Sequence, residues 1–246
     1  MRLKLIACEV FTREICFCTA HTPHIVDIDF TAKGAHEDSD YLRKVIQNKI
    51  KDTENSEIDY DAVLLGFGLC GNSILGLSSN KLPLVVPRAH DCCTIFLGSK
   101  EKFTKYFKDR LSAEWTSPGY LERGDSMIRS EDIEDTLKRN KSYQELVDQY
   151  GQENAEYVWE TLHPEKNADS YIYIEMDEFA HLNYLSQIKE KADKENKDFE
   201  IIQGSMSLIS RLIDGKWDQE DFLILEPGDE IKAIYDFEKI ITAGDG

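Results

Sequence analysis

Seven short apolar runs constrain this chain more than any other feature in it. They cover residues 3–8, 24–30, 62–68, 82–87, 171–176, 199–203 and 222–227, and each is closed by Gly, Pro or a polar residue. The runs are continuous rather than alternating, which suits strands covered on both faces. Helical spacing fills most of the intervals. Leu42, Val45, Ile46 and Ile50 trace one face, Leu182, Leu185 and Ile188 another, and residues 206–213 a third. Strand, helix, strand in succession predicts a layered, mostly parallel α/β sheet of Rossmann-like character. Hydrophobic residues at 41% and aromatics at 10% supply an ordinary globular core and exclude a disordered chain.

Residues 99–165 break the rhythm. A helix is predicted over 100–111 with Ser99 as its cap, then a turn-rich loop over 115–120, then polar helices to about residue 162. The expected organisation is an N-terminal α/β half over 1–98, a helical insertion or crossover over 99–169, and a C-terminal α/β half over 170–246. A net charge of −18 argues against a nucleic-acid partner, because phosphate affinity rests on clustered Lys and Arg. No apolar run approaches the roughly 20 residues that span a bilayer. The first strand also lacks the long apolar stretch of a signal peptide. The expected compartment is therefore cytoplasmic, where thiols stay reduced. There six cysteines point to metal binding or burial before disulfides. A homo-oligomer is compatible with all of this.

The stretch 68–93 concentrates the chemistry, with three of the six cysteines and one of the six histidines. Gly66-Phe67-Gly68-Leu69-Cys70-Gly71 matches the G-x-G-x-x-G nucleotide pattern and follows a strand, as that motif requires. Cys70 and Asn72 crowd the turn, however, and Ser78-Ser79-Asn80 cuts short any helix that would hold a pyrophosphate. Asp91 stands at the spacing of the ribose-binding acid but in a loop. Nucleotide binding is the lesser alternative.

Position favours the sulfur. Cys8 closes the first strand, Cys70 lies just past the third, and His90 and Cys92 follow the fourth. Ligands of open parallel sheets bind outside the strands' carboxyl ends. Cys8, Cys70, His90 and Cys92 would thus share one rim, a donor set suited to zinc or to an iron–sulfur cluster. Each cysteine taken singly is more often packing than chemistry. Cys16 and Cys18 have the apolar neighbours of packed residues, and Cys93 would point away from Cys92 if a helix starts there. Glu9, Arg88 and Asp91 are the polar neighbours of the set. Asp91 could orient the His90 imidazole, or cap a helix beginning at Cys92, and the cap is the commoner arrangement. Arg88 could meet an anionic substrate or a surface carboxylate. His36 is a reserve ligand at the second strand's exit. Residues 115–120 could form a lid or an ordinary packed loop, and residues 226–229 a crevice wall.

Several segments are family-like in order: "IACEV…RE", "GAH…LR", "YDAVLLGFGLCGNSILGL", "LPLVVPRAHDC", "LGSKEKF", "TSPGY" and "DFLILEPGDEI". Together they resemble the domain-of-unknown-function family numbered sixteen thirty-eight, found mainly in anaerobic bacteria and methanogenic archaea. The resemblance runs over most of residues 1–125, with nothing carried for about 126–170. The family's recurrent polar positions fall on Cys8, Cys70, His90, Asp91 and Cys92, with His36 in a further patch, which implies a shared site. Its members are often encoded beside corrinoid-dependent methyltransferases. That implies a role in anaerobic one-carbon or methyl metabolism, with an indirect link to corrinoid. Three hypotheses follow: a metal-dependent protein handling methyl groups or thiols, a non-catalytic accessory binding a corrinoid protein or methyltransferase, and a nucleotide-binding fold.

Overall fold

The computed structural model describes residues 1–107, 113–123, 152, 170–234 and 239–245. In chain order its first elements are β1 (Arg2–Cys8), α1 (Thr12–His21), β2 (Ile25–Thr31), α2 (Ser39–Glu54), β3 (Ala62–Gly66), β4 (Leu84–Pro87), α3 (Cys92–Leu97) and α4 (Lys100–Phe107). Then come β5 (Glu114–Thr116), α5 (Pro118–Arg123), β6 (Ser170–Glu175), α6 (Tyr184–Glu195), β7 (Asp198–Gln203), α7 (Ser207–Ile213), β8 (Phe222–Leu225), β9 (Asp229–Ala233) and β10 (Ile241–Asp245). The chain divides into two compact units. One holds the described residues of Met1–Lys105, Glu122–Gly124 and Gly204–Gly246, the other those of Tyr106–Leu121 and Asp125–Gln203.

The first unit is built on a five-stranded sheet of order β2-β1-β3-β4-β8. Its first four strands are mutually parallel and β8 is antiparallel to β4. The continuous apolar runs are explained by cover on both faces. On β1, Ile6 packs into a cluster with Leu42, Ile46 and Ile50, which stand four residues apart on α2 and are all buried. Its neighbour Leu5 points the other way, into a small apolar cavity shared with Phe11, Ile15, Ile95 and Ile209. The five residues of β3, at the middle of the sheet, are all buried. An antiparallel hairpin of β9 and β10 adds Ile231 and Ile241 to the α2 side of the core.

The second unit carries a parallel sheet of order β5-β6-β7. Its amino edge is tied by charge. Lys197 Nζ lies 2.6 Å from Glu114 Oε2 and 4.3 Å from the centre of the Tyr171 ring, while the Tyr171 hydroxyl donates to Glu195. Burial above all, and then the bond to Glu195, pushes the Tyr171 hydroxyl above its ordinary pKa.

The layered, mostly parallel α/β architecture expected of the sequence is the one present. The reading of 115–120 as a turn-rich loop needs correction, because β5 ends at Thr116 and α5 begins at Pro118. Pro118 sits at the first helical position, where its missing N–H costs nothing, and Ser117 Oγ accepts the Tyr120 N–H at 3.4 Å. Ser99 caps α4 as expected, its Oγ accepting the Lys102 N–H at 3.1 Å. Residues 108–111 of that predicted helix and the polar helices predicted to about 162 lie outside the described residues. Among the described residues, no helix is long and apolar enough to cross a membrane.

Candidate metal site at the carboxyl edge of the first sheet

Parallel pairing in register brings four strand ends to one edge. Cys8 stands opposite Thr31, and Ala7 opposite Gly66. From β1 the chain moves outward to β2 and then returns to the other side of β1 as β3, so the order reverses between β1 and β3. A reversal of this kind opens a crevice outside the strand ends. Cys8 is the last residue of β1 and stands at its mouth.

The exits of β3 and β4 run on side by side. Leu69 N–H donates to Ala89 O at 2.8 Å and Cys70 N–H to His90 O at 3.1 Å. Gly68 makes this approach possible, since a Cβ there would lie 2.7 Å from both Cα and C of Asp91. The other two glycines of the nucleotide-like pattern also have local reasons. A Cβ on Gly66 would meet Ala7 Cβ at 2.6 Å across the β1–β3 pair, and Gly71 has φ +64°. Residues 70–76 form turns rather than the helix that a dinucleotide motif needs.

Cys70, Gly71 and Asn72 are three consecutive left-handed residues, with φ 41°, 64° and 70°. For Cys70 this conformation costs on the order of 1–2 kcal/mol, and for Asn72 less, since asparagine adopts it readily. Two side chains from the start of α2 hold the loop there. Ser39 Oγ donates to Gly71 O at 2.9 Å, and Arg43 Nη2 donates to Asn72 O at 2.7 Å. Neither residue has a role assigned from the sequence, although Arg43 ends the "GAH…LR" segment. Nothing in their spacing reveals a contact made across about thirty residues.

Beyond β4 the chain turns into α3, and Asp91 is its cap. The carboxylate accepts the Thr94 N–H at 3.0 Å and the Thr94 hydroxyl at 3.1 Å. Burial raises the Asp91 carboxyl above its ordinary pKa, against the pull of those donors and of His90. The His90 ring lies 5.2 Å from Phe103, tilted by 31°. Cys92 opens α3 half-buried, while Cys93 is fully buried, and burial pushes its thiol well up. Cys8 is pushed up to about 12, mostly by burial. The Val10 N–H opposes this, whereas negative charge at Cys92 and Glu9 adds to it.

The remaining predicted residues have other duties. Glu9 Oε1 accepts the Lys33 N–H at 2.7 Å and so ties the exits of β1 and β2. Arg88 donates from Nε to Gln219 O at 3.1 Å and from Nη1 to Lys239 O at 2.8 Å and to Ile241 O. It is a staple for the chain's last segment. His36 lies in the 3-10 turn Lys33–Glu37, and its side chain is outside the described residues. The topology thus delivers Cys8, Cys70, His90 and Cys92 to one edge. Their side chains do not converge there: among the described residues, no three His, Cys, Asp or Glu groups stand close enough to hold a metal ion.

A family model described as "Protein of unknown function (DUF1638)" matches residues 30–213. The chain belongs to the DUF1638 family. Three of the four candidate ligands, Cys70, His90 and Cys92, fall within the DUF1638 span, and Cys8 precedes it. No curated protein and no solved structure gives a significant match.

Proposed function

We propose that this DUF1638 protein binds a soft metal, as zinc or an iron–sulfur centre, through Cys8, Cys70, His90 and Cys92. The observation that carries the reading is the order reversal between β1 and β3. It sets the exits of β1, β3 and β4, whose backbones carry Cys8, Cys70, His90 and Cys92, beside the kind of mouth where parallel sheets receive ligands, which supports this reading. Three thiolates and an imidazole match zinc or iron–sulfur preferences. The donors need side-chain rotation to meet, because they are not grouped as they stand. They also need deprotonation, which a cation favours and burial opposes, so uptake should release protons. When bound, the metal would pin the strand ends together or, with an open position, activate a thiol or water. What the chain's own residues contribute is orientation: Asp91 fixes the start of α3, and with it the backbone of Cys92.

The biological setting we propose is anaerobic one-carbon or methyl metabolism, with a corrinoid protein or methyltransferase as partner. Glu9 and Arg88 bond backbone groups, and Asp91 accepts the N–H and hydroxyl of Thr94. That engagement favours a non-catalytic accessory role over turnover with small molecules. Nucleotide binding is disfavoured, since each glycine of the pattern has a packing or backbone reason.

The test is an anaerobic preparation examined by elemental analysis and visible absorption, alongside Cys70→Ser and Cys92→Ser. About one zinc, or a brown cluster, per folded chain, lost in both variants, supports the reading. A folded wild-type chain that takes up neither metal refutes it.

A further inference from the structure

The loop that presents Cys70 is held from outside. Of its three left-handed residues Cys70 runs against the preference of its side chain, and turns rather than a helix follow. Its amino side is secured by the backbone bond from Cys70 N–H to His90 O. On its carboxyl side the turn's own backbone bonds, Ser73 N–H to Leu69 O and Leu75 N–H to Asn72 O, are joined by two side chains of α2: Ser39 Oγ donates to Gly71 O and Arg43 Nη2 to Asn72 O. The Arg43 guanidinium is anchored in turn by Asp40, 2.6 Å from Nη1. Its Nε is buried and has no hydrogen-bond partner among the described residues. An arginine serving only as a surface ion pair would keep that nitrogen in water. Here it gives up that hydration while the fork reaches the loop.

We infer that Arg43 and Ser39 are positioning residues that hold the Cys70–Asn72 loop so that the Cys70 sulfur faces the shared edge. The metal part of this inference rests on the proposed function, while the latch itself does not. Two carbonyls on successive residues, each engaged by a different side chain, fix the orientation of both peptide planes. Those planes, 71–72 and 72–73, follow directly on Cys70, whose preceding plane is held by its N–H bond to His90 O. Holding them limits how far the peptide between Cys70 and Gly71, and the side chain with it, can turn. Ser39 lies one turn of α2 before Arg43, so the two donors act from one rigid face. The arrangement resembles the outer-shell bonds that orient metal ligands elsewhere, here acting on backbone rather than on a ligand side chain.

The experiment compares wild type, Arg43→Ala, Arg43→Lys and Ser39→Ala, metal-free and under reducing, anaerobic conditions. A short pulse of N-ethylmaleimide is followed by peptide mapping, which reads Cys8, Cys70 and Cys92 separately in one sample. The expected result is a change of about tenfold or more in the Cys70 rate for Arg43→Ala. Ser39→Ala should show a smaller change and Arg43→Lys partial recovery, with Cys8 and Cys92 rates unchanged. Cobalt(II) titration should then show affinity lowered about 10–100-fold in Arg43→Ala. On a Cys70→Ser background the same change should add nothing. An unaltered Cys70 rate in both alanine variants overturns the inference, and so does an equal rise at all three thiols, which would mean general loosening. If wild type takes up no metal while the Cys70 rate responds as expected, the proposed function fails and the latch stands.

Discussion

Replacing Gly68 with Ala tests the closest approach in the candidate site. The added methyl would lie 2.7 Å from Cα and C of Asp91 and 2.8 Å from its carbonyl oxygen. All three are backbone atoms, so no side chain can swing away. Ordinary contact requires the two strand exits to separate by nearly 1 Å. That separation strains the Leu69 to Ala89 and Cys70 to His90 hydrogen bonds, now 2.8 and 3.1 Å. Overpacking costs about 1–3 kcal/mol, and two weakened bonds cost about 0.5–1.5 kcal/mol each. The stiffer unfolded chain returns about 0.4–1 kcal/mol. Together these give a net loss centred on about 3 kcal/mol in the first unit. Cys93, fully buried in that unit, is a local probe: its alkylation as urea rises reports unfolding there. Gly34→Ala is the control, since nothing lies within 4 Å of a Cβ at that position. The Gly68→Ala midpoint should fall well below the control with m unchanged. Equal midpoints for the two variants would refute the close approach, and with it the account of this glycine.

Two further outcomes follow from neighbouring residues. Burial holds the Cys8 thiol at about 12 instead of 9.0, so the folded state retains a proton that the unfolded state releases. Stability is therefore full below about pH 9 and declines between 9 and 12, by up to about 1.4 kcal/mol per pH unit. Urea midpoints at pH 8 and 10 should converge in Cys8→Ala relative to wild type, and an unchanged slope would contradict the burial. Arg88→Ala should strand the carbonyls of Gln219, Lys239 and Ile241. The expected cost is about 2–4 kcal/mol, from charge-assisted bonds partly replaced by water. Amide exchange in β10 should accelerate more than exchange in β1, and equal protection of β10 in both proteins would count against the staple.

Much of the candidate site was legible because strand ends can be read from where apolar runs stop. The runs at 3–8, 62–68 and 82–87 locate Cys8, Cys70, His90 and Cys92 just at or beyond an edge. Asp91 as a cap was legible from its place before Cys92, since capping is a local bond over three residues. That Cys93 points elsewhere than Cys92 followed from the same helix start, while its full burial is set by the tertiary packing. Arg88 was not legible, because its carbonyl acceptors come from residues 219, 239 and 241. Ser39 and Arg43 were missed for the same reason. β5 was missed because three residues are too few to show a pattern, and β9 and β10 because their charged and small residues lack the apolar run of a covered strand.

Sequence alone determined the kind of layer this chain builds, because burying both faces of a strand demands an unbroken apolar run and burying one helix face demands a period of 3.6. It also determined the chemical types available at the strand ends. Tertiary structure alone decided that residues 204–246 return to the first unit, with β8 reversed against β4. It alone decided that β1 lies between β2 and β3, so that the order reverses where Cys8 ends its strand. Those choices are settled by which distant surfaces fit against one another, and the free energy of that fit belongs to no short stretch of chain.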